Sequence, residues 1–69
     1  MNQTIIGERI RERREKLQMS QGYLAQQSGI HYMTISRYER GRRTPSTAAL
    51  VALARALGVT TDWLLGAAS

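Results

Sequence analysis

The stretch from Ser20 to Gly41 reads SQGYLAQQSGIHYMTISRYERG, and where it breaks decides the fold. Ser20 stands as an N-cap, because its hydroxyl can accept the orphan N–H two or three residues on. The helix QGYLAQQS follows, with Leu24 and Ala25 facing inward and Gly29 supplying the left-handed turn that ends it. Three residues, Gly29 to His31, separate this helix from the next apolar pattern. That is the connection length of two short helices meeting at a steep angle. A helix is expected over residues 32–39. At about 100° per residue, Ile35, Tyr38 and Glu39 share one face, and Met33, Ser36, Arg37 and Arg40 share the opposite one. Ile30, Ile35 and Tyr38 are therefore assigned to the core. Tyr32 and Met33 do not join the Ile35 face and sit beside Arg37 and Arg40; they read either as partner-facing side chains or as ordinary exposed apolar residues.

Outward from this stretch the segments are all of short-helix length. Towards the N-terminus a helix is expected from about Thr4 to Leu17, with Ile6, Ile10 and Leu17 recurring at helical spacing. Its remaining positions are charged. Glu8 with Glu12, and Arg9 with Arg13, lie four apart and predict a solvated face. Towards the C-terminus, residues 41–44 form a basic loop, and Pro45 with Ser46 opens a fourth helix, TAALVALARALG, closed by Gly58. Leu50, Leu53, Ala54 and Leu57 make its apolar stripe. A last short helix, capped by Thr60 or Thr61, carries Trp63, Leu64 and Leu65. The expected architecture is all-α, five helices in one domain over residues 1–69, since no run of alternating β-branched residues predicts a strand.

At 69 residues there is room for one small core. Cysteine is absent, so neither disulfides nor thiolate-bound zinc can staple the chain. The N-terminus has no apolar run of signal-peptide length, and no segment approaches the roughly 18 to 20 apolar residues of a membrane span. A cytoplasmic protein without a membrane partner is expected. The net charge of +5 points to an anionic partner, for which nucleic acid is the commonest choice in a small basic domain. Placement sharpens this. Nine of the ten basic residues fall in residues 1–45, and Arg37, Arg40, Arg42 and Arg43 fall within seven residues opposed by Glu39 alone. An enzyme is not expected: the single His31 has no nucleophile and acid arranged with it, and no phosphate-binding glycine loop or metal-ligand cluster is present. No cofactor or metal is implied.

Taken together, MSQGYLAQQSGIHYMTISRYERGRRTPS and LVALARALGVTTDWLLG resemble the lambda-repressor-like, Cro-type helix-turn-helix family, also called the xenobiotic-response-element family. The resemblance runs from about Ile6 to Gly66. Several parts agree in order and spacing: SQ opening a helix, LA three residues later, Gly29 in the turn, TIS in the next helix, ERG closing it, PS opening the fourth and ALGV closing that. It implies a compact five-helix bundle whose third helix enters the DNA major groove, and a bacterial or phage origin.

By the same resemblance Tyr32, Met33, Ser36 and Arg37 occupy the base-reading positions. Arg37 can offer two parallel N–H donors to guanine O6 and N7, Met33 suits the thymine methyl, Tyr32 suits a thymine face or a phosphate, and Ser36 can serve either base. Ser20 and Gln21 fall on the phosphate side, where a helix N-terminus adds amide donors. His31 fills the cap of the third helix, where family members often carry Ser or Thr. Imidazole caps poorly, so His31 is expected to contact phosphate instead. Arg40, Arg42 and Arg43 would follow the DNA backbone, and Arg14 with Glu39 matches a pair that links the first helix to the end of the third.

The leading expectation is a sequence-specific regulator of transcription, a repressor, acting on double-stranded DNA as a homodimer. The dimer contact is placed on Leu64, Leu65 and the small GAAS tail, against the alternative that Leu64 and Trp63 are core. A protein partner is the second expectation, in the manner of an antitoxin that also represses its own promoter. RNA fits less well, because the A-form major groove is too narrow for a helix.

Overall fold

The computed structural model describes residues 3–67. Its elements are α1 (Gln3–Lys16), α2 (Gln21–Ser28), α3 (Tyr32–Glu39), α4 (Thr47–Leu57) and α5 (Thr61–Leu64), with no strand among the described residues. Helices this short are marginal alone. They hold because each gives at least one side chain to a common core: Ile6 and Ile10 from α1, Leu24 from α2, Ile35 and Tyr38 from α3, Leu53, Ala54 and Leu57 from α4, and Leu64 from α5.

The helix ends are set locally. Ser20 Oγ accepts the Tyr23 N–H at 2.9 Å, Ser46 Oγ the Ala49 N–H at 3.2 Å, and Thr60 Oγ1 the Trp63 N–H at 3.0 Å. Thr60, whose backbone is extended, is thus the cap of α5, and Thr61 is already its first helical residue. Gly29 and Gly58 close α2 and α4 at φ 73° and 68°.

The end of α1 departs from expectation. Gln18 takes the left-handed conformation at φ 58°, its N–H reaches the Glu15 carbonyl, and the Met19 N–H reaches the Arg14 carbonyl at 3.0 Å. This is a Schellman closure with glutamine where glycine is usual. It leaves Leu17 outside the helix and exposed, while Met19 packs against the core in its place.

The charged face of α1 also departs. Arg13 Nε donates to the Leu57 carbonyl at 2.9 Å, and the Arg9 guanidinium lies 4.6 Å from the centre of the Trp63 ring. A cation at the last turn of α4 suits the negative end of that helix, and the guanidinium over the indole adds a cation–π contact. Of the four residues expected on a solvated face, Glu8 and Glu12 are exposed, whereas Arg9 and Arg13 are half-buried mortar between α1, α5 and α4. Leu64 is fully buried, so it is core and cannot serve a dimer contact. Leu65 packs partly against the same core, and Ala68 and Ser69 of the tail lie outside the described residues.

One contact places α3. Gly7, which carried no assigned role in the sequence, is buried where α1 crosses α3. A Cβ there would be driven into the Tyr38 carbonyl oxygen, with the Tyr38 carbonyl carbon at 3.0 Å and Glu39 Cα at 3.1 Å. The two backbones meet with no side chain between them.

Candidate nucleic-acid interface

α3 presents two different faces. Ile35 and Tyr38 point into the core, whereas Tyr32 and Met33 are about half exposed, at 52% and 47%. Arg37 is exposed one turn further along, and Ser36 beside it is partly covered. Arg40 ends the helix, with Nε 3.4 Å from the Ser36 carbonyl. Arg42 and Arg43 follow in the exposed loop that Pro45, itself buried, anchors to the domain. The base-reading candidates therefore lie at successive levels of α3, which is roughly 12 Å long at 1.5 Å per residue, and the basic loop follows directly from its C-terminal end.

The far end of α3 is held by a compact polar network. Arg14 Nε donates to Glu39 Oε2 at 2.7 Å and Arg14 Nη2 to Glu39 Oε1 at 3.0 Å. Arg14 Nη1 donates to the Met19 carbonyl at 2.8 Å, and Gln21 Nε2 to Glu39 Oε1 at 3.1 Å. One carboxylate thus ties together α1, the start of α2 and the last residue of α3. The Glu39 side chain is 4% exposed and that of Arg14 13%, so this bidentate pair is weakly screened, unlike the surface pair Arg11–Glu15, exposed at 63% and 57%. Hydrogen bonding to Glu39 outweighs burial and raises the Arg14 pKa above its ordinary value, which keeps the guanidinium charged. A carboxylate can only accept, so the Gln21 amide must turn its NH₂ towards Glu39; one of its two hydrogens is used there and the other is left.

At the near end, His31 differs from expectation. Its Nδ1 accepts the Met33 N–H at 3.2 Å, so the imidazole does cap α3. Its ring stacks on Tyr32, with centroids 5.1 Å apart and planes at 28°. Ser20 is the cap of α2 through its Oγ, which leaves its hydroxyl hydrogen as a donor. A further residue shapes the turn: Ser28 Oγ donates to the Leu24 carbonyl at 2.7 Å and accepts the Ile30 N–H at 3.3 Å. The Ser-Gly pair at the end of α2 was the available signal for it. Among the described residues no group of three or more metal-ligating side chains occurs, and no helix is long and apolar enough to cross a membrane.

The helix-turn-helix family profile HTH_3 matches residues 10–64. The chain belongs to the helix-turn-helix family. It is 42% identical over 65 residues to repressor protein C2 of Salmonella phage P22, an alignment covering 94% of this chain and 30% of the repressor. It superposes on the restriction-modification controller protein C.AhdI from Aeromonas hydrophila with a TM-score of 0.86 and 34% identity, covering 90% of this chain and 94% of that one. The P22 c2 repressor in complex with synthetic operator 9T superposes with a TM-score of 0.82 and 41% identity, covering 86% and 89%. The fold is the lambda-repressor-like bundle, and the relatives are transcriptional regulators rather than enzymes. The chain spans between 30% and 54% of the length of the curated relatives it matches.

Proposed function

We propose that this helix-turn-helix domain binds double-stranded DNA in a sequence-specific way as a transcriptional repressor, inserting α3 in the major groove. The observation that carries the reading is the exposed face of Tyr32, Met33 and Arg37 on a helix whose other end is clamped by Arg14 and Glu39. A reading helix must be exposed on one side and immobile on the other. The similarity to a repressor whose structure is a complex with operator DNA supports the same reading.

In this proposal Arg37 pairs with guanine, Met33 and Tyr32 meet thymine, and Ser36 assists at either base. Gln21 gives its remaining amide hydrogen to a phosphate, while Ser20, Arg40, Arg42 and Arg43 add contacts that hold register without reading sequence. One α3 reads too few base pairs for selectivity. The domain therefore acts as a homodimer on an inverted repeat, with half-sites about 34 Å apart.

Selection of bound sequences from a random duplex library tests this. The wild type is expected to recover a two-fold symmetric motif, and Arg37→Ala to recover the same motif with one guanine relaxed, at a loss of about 1–3 kcal/mol of discrimination per half-site. Binding without any motif, weakening uniformly as salt rises, would overturn the reading.

A further inference from the structure

We propose that His31 is a positioning residue whose neutral Nε2–H tautomer holds Tyr32 and Met33 in place, so that base preference at the N-terminal end of α3 depends on His31 staying unprotonated. The proposal rests on the DNA-reading function above.

Three of the N-caps described, those of Ser20, Ser46 and Thr60, use hydroxyl oxygens, which accept a hydrogen bond at any pH near neutrality. The cap of α3 uses a ring nitrogen. An imidazole nitrogen accepts only while it carries no proton. Because Nδ1 accepts the Met33 N–H, the single proton of the neutral ring belongs on Nε2. A second proton would turn Nδ1 into a donor facing another donor, next to the positive end of α3. The ring must then leave, and its stacking on Tyr32 goes with it.

The surroundings do not oppose this. The side chains that share a shallow concavity with His31 are Ala25 and Gln26 of α2, Ile30 of the turn, and Tyr32. The Tyr32 phenol is the one titratable group among them, so no carboxylate lining that concavity is placed to hold an imidazolium. His31 is the one histidine of the chain, so among the N-caps described only that of α3 loses its acceptor when an imidazole gains a proton.

Nitrogen-15 NMR of the free domain and duplex selection, each at about pH 8 and about pH 5.5, test the proposal. At the higher pH the His31 ring is expected as the Nε2–H tautomer. On acidification the protection factor of the Met33 amide is expected to fall by about fivefold, the scale of one lost N-cap. The same amide in His31→Ser, whose hydroxyl cannot titrate, is expected to keep its protection. In selection, the base under Tyr32 and Met33 is expected to relax at low pH in the wild type and not in His31→Ser. An Nδ1–H tautomer, or a Met33 protection factor indifferent to pH, would overturn the proposal. So would an acid-induced gain in affinity for all duplexes alike, the mark of a phosphate contact only. If no motif appears at either pH, the DNA-reading function fails, and the NMR result then decides the cap alone.

Discussion

Gly7→Ala is expected to lose most of the stability of the domain. The added methyl has no free direction, because it meets the Tyr38 carbonyl oxygen and Glu39 Cα, which are backbone atoms and cannot swing aside as a side chain would. The variant must push α1 off α3 or unfold. Overpacking of this kind costs about 3 kcal/mol or more, against a total of roughly 3–10 kcal/mol for a domain of this size. At 4–8 °C per kcal/mol, the melting temperature should fall by roughly 12–24 °C, read by circular dichroism at a helical wavelength. A shift of less than about 2 °C would mean that the helices can separate there at little cost. The effect runs against helix propensity, by which alanine is the better residue in the middle of α1.

Glu39→Ala should be nearly as severe, for an electrostatic reason. It strands the Arg14 guanidinium in a largely covered position and removes the acceptor that orients Gln21. Breaking a buried pair by deleting one partner costs about 3–5 kcal/mol. Replacing both partners, as in Arg14→Met with Glu39→Met, should recover most of the melting temperature, because no charge is then left uncompensated. Affinity for the selected duplex should not recover with it, since Gln21 has still lost its anchor. Equal recovery of stability and DNA affinity in the double variant would mean that the pair serves the fold alone. An unaltered melting temperature in Glu39→Ala would mean that it does not serve even that.

The contrast between these two sites says what a sequence can carry. The bounds of α2 and α3 were legible because their signals are local: a hydroxyl cap at Ser20, a left-handed glycine at Gly29, and apolar residues at helical spacing. The meeting of Arg14 with Glu39 came from resemblance, since nothing in the spacing of residues 25 apart indicates contact. Gly7 was silent because a glycine inside a helix looks the same whether it faces water or another backbone. Arg9 and Arg13 were misjudged for a related reason: charge periodicity identifies a polar face but not whether the face meets solvent, a ring or a helix end. His31 was underrated because a propensity averages over contexts, whereas here the ring also gains a stacking partner in Tyr32. Leu64 was ambiguous by composition, and the shortness of α5 resolved it, since four residues stay folded by burying one of them completely.

The arginines of α1 bear on how the domain would meet a polyanion. Arg14 is neutralised within the fold by Glu39, while Arg9 and Arg13 lie on the flank of α1 turned towards α5 and α4 rather than α3. In the proposed binding mode none of the three is placed to neutralise a phosphate of a docked duplex. In that mode the cations released from the duplex would be set by Arg37, Arg40, Arg42 and Arg43, so the formal charge of +5 would be a poor guide to electrostatic reach. Two chains of equal net charge could differ severalfold in how steeply salt weakens them, according to whether their arginines hold helices together or stand in the water.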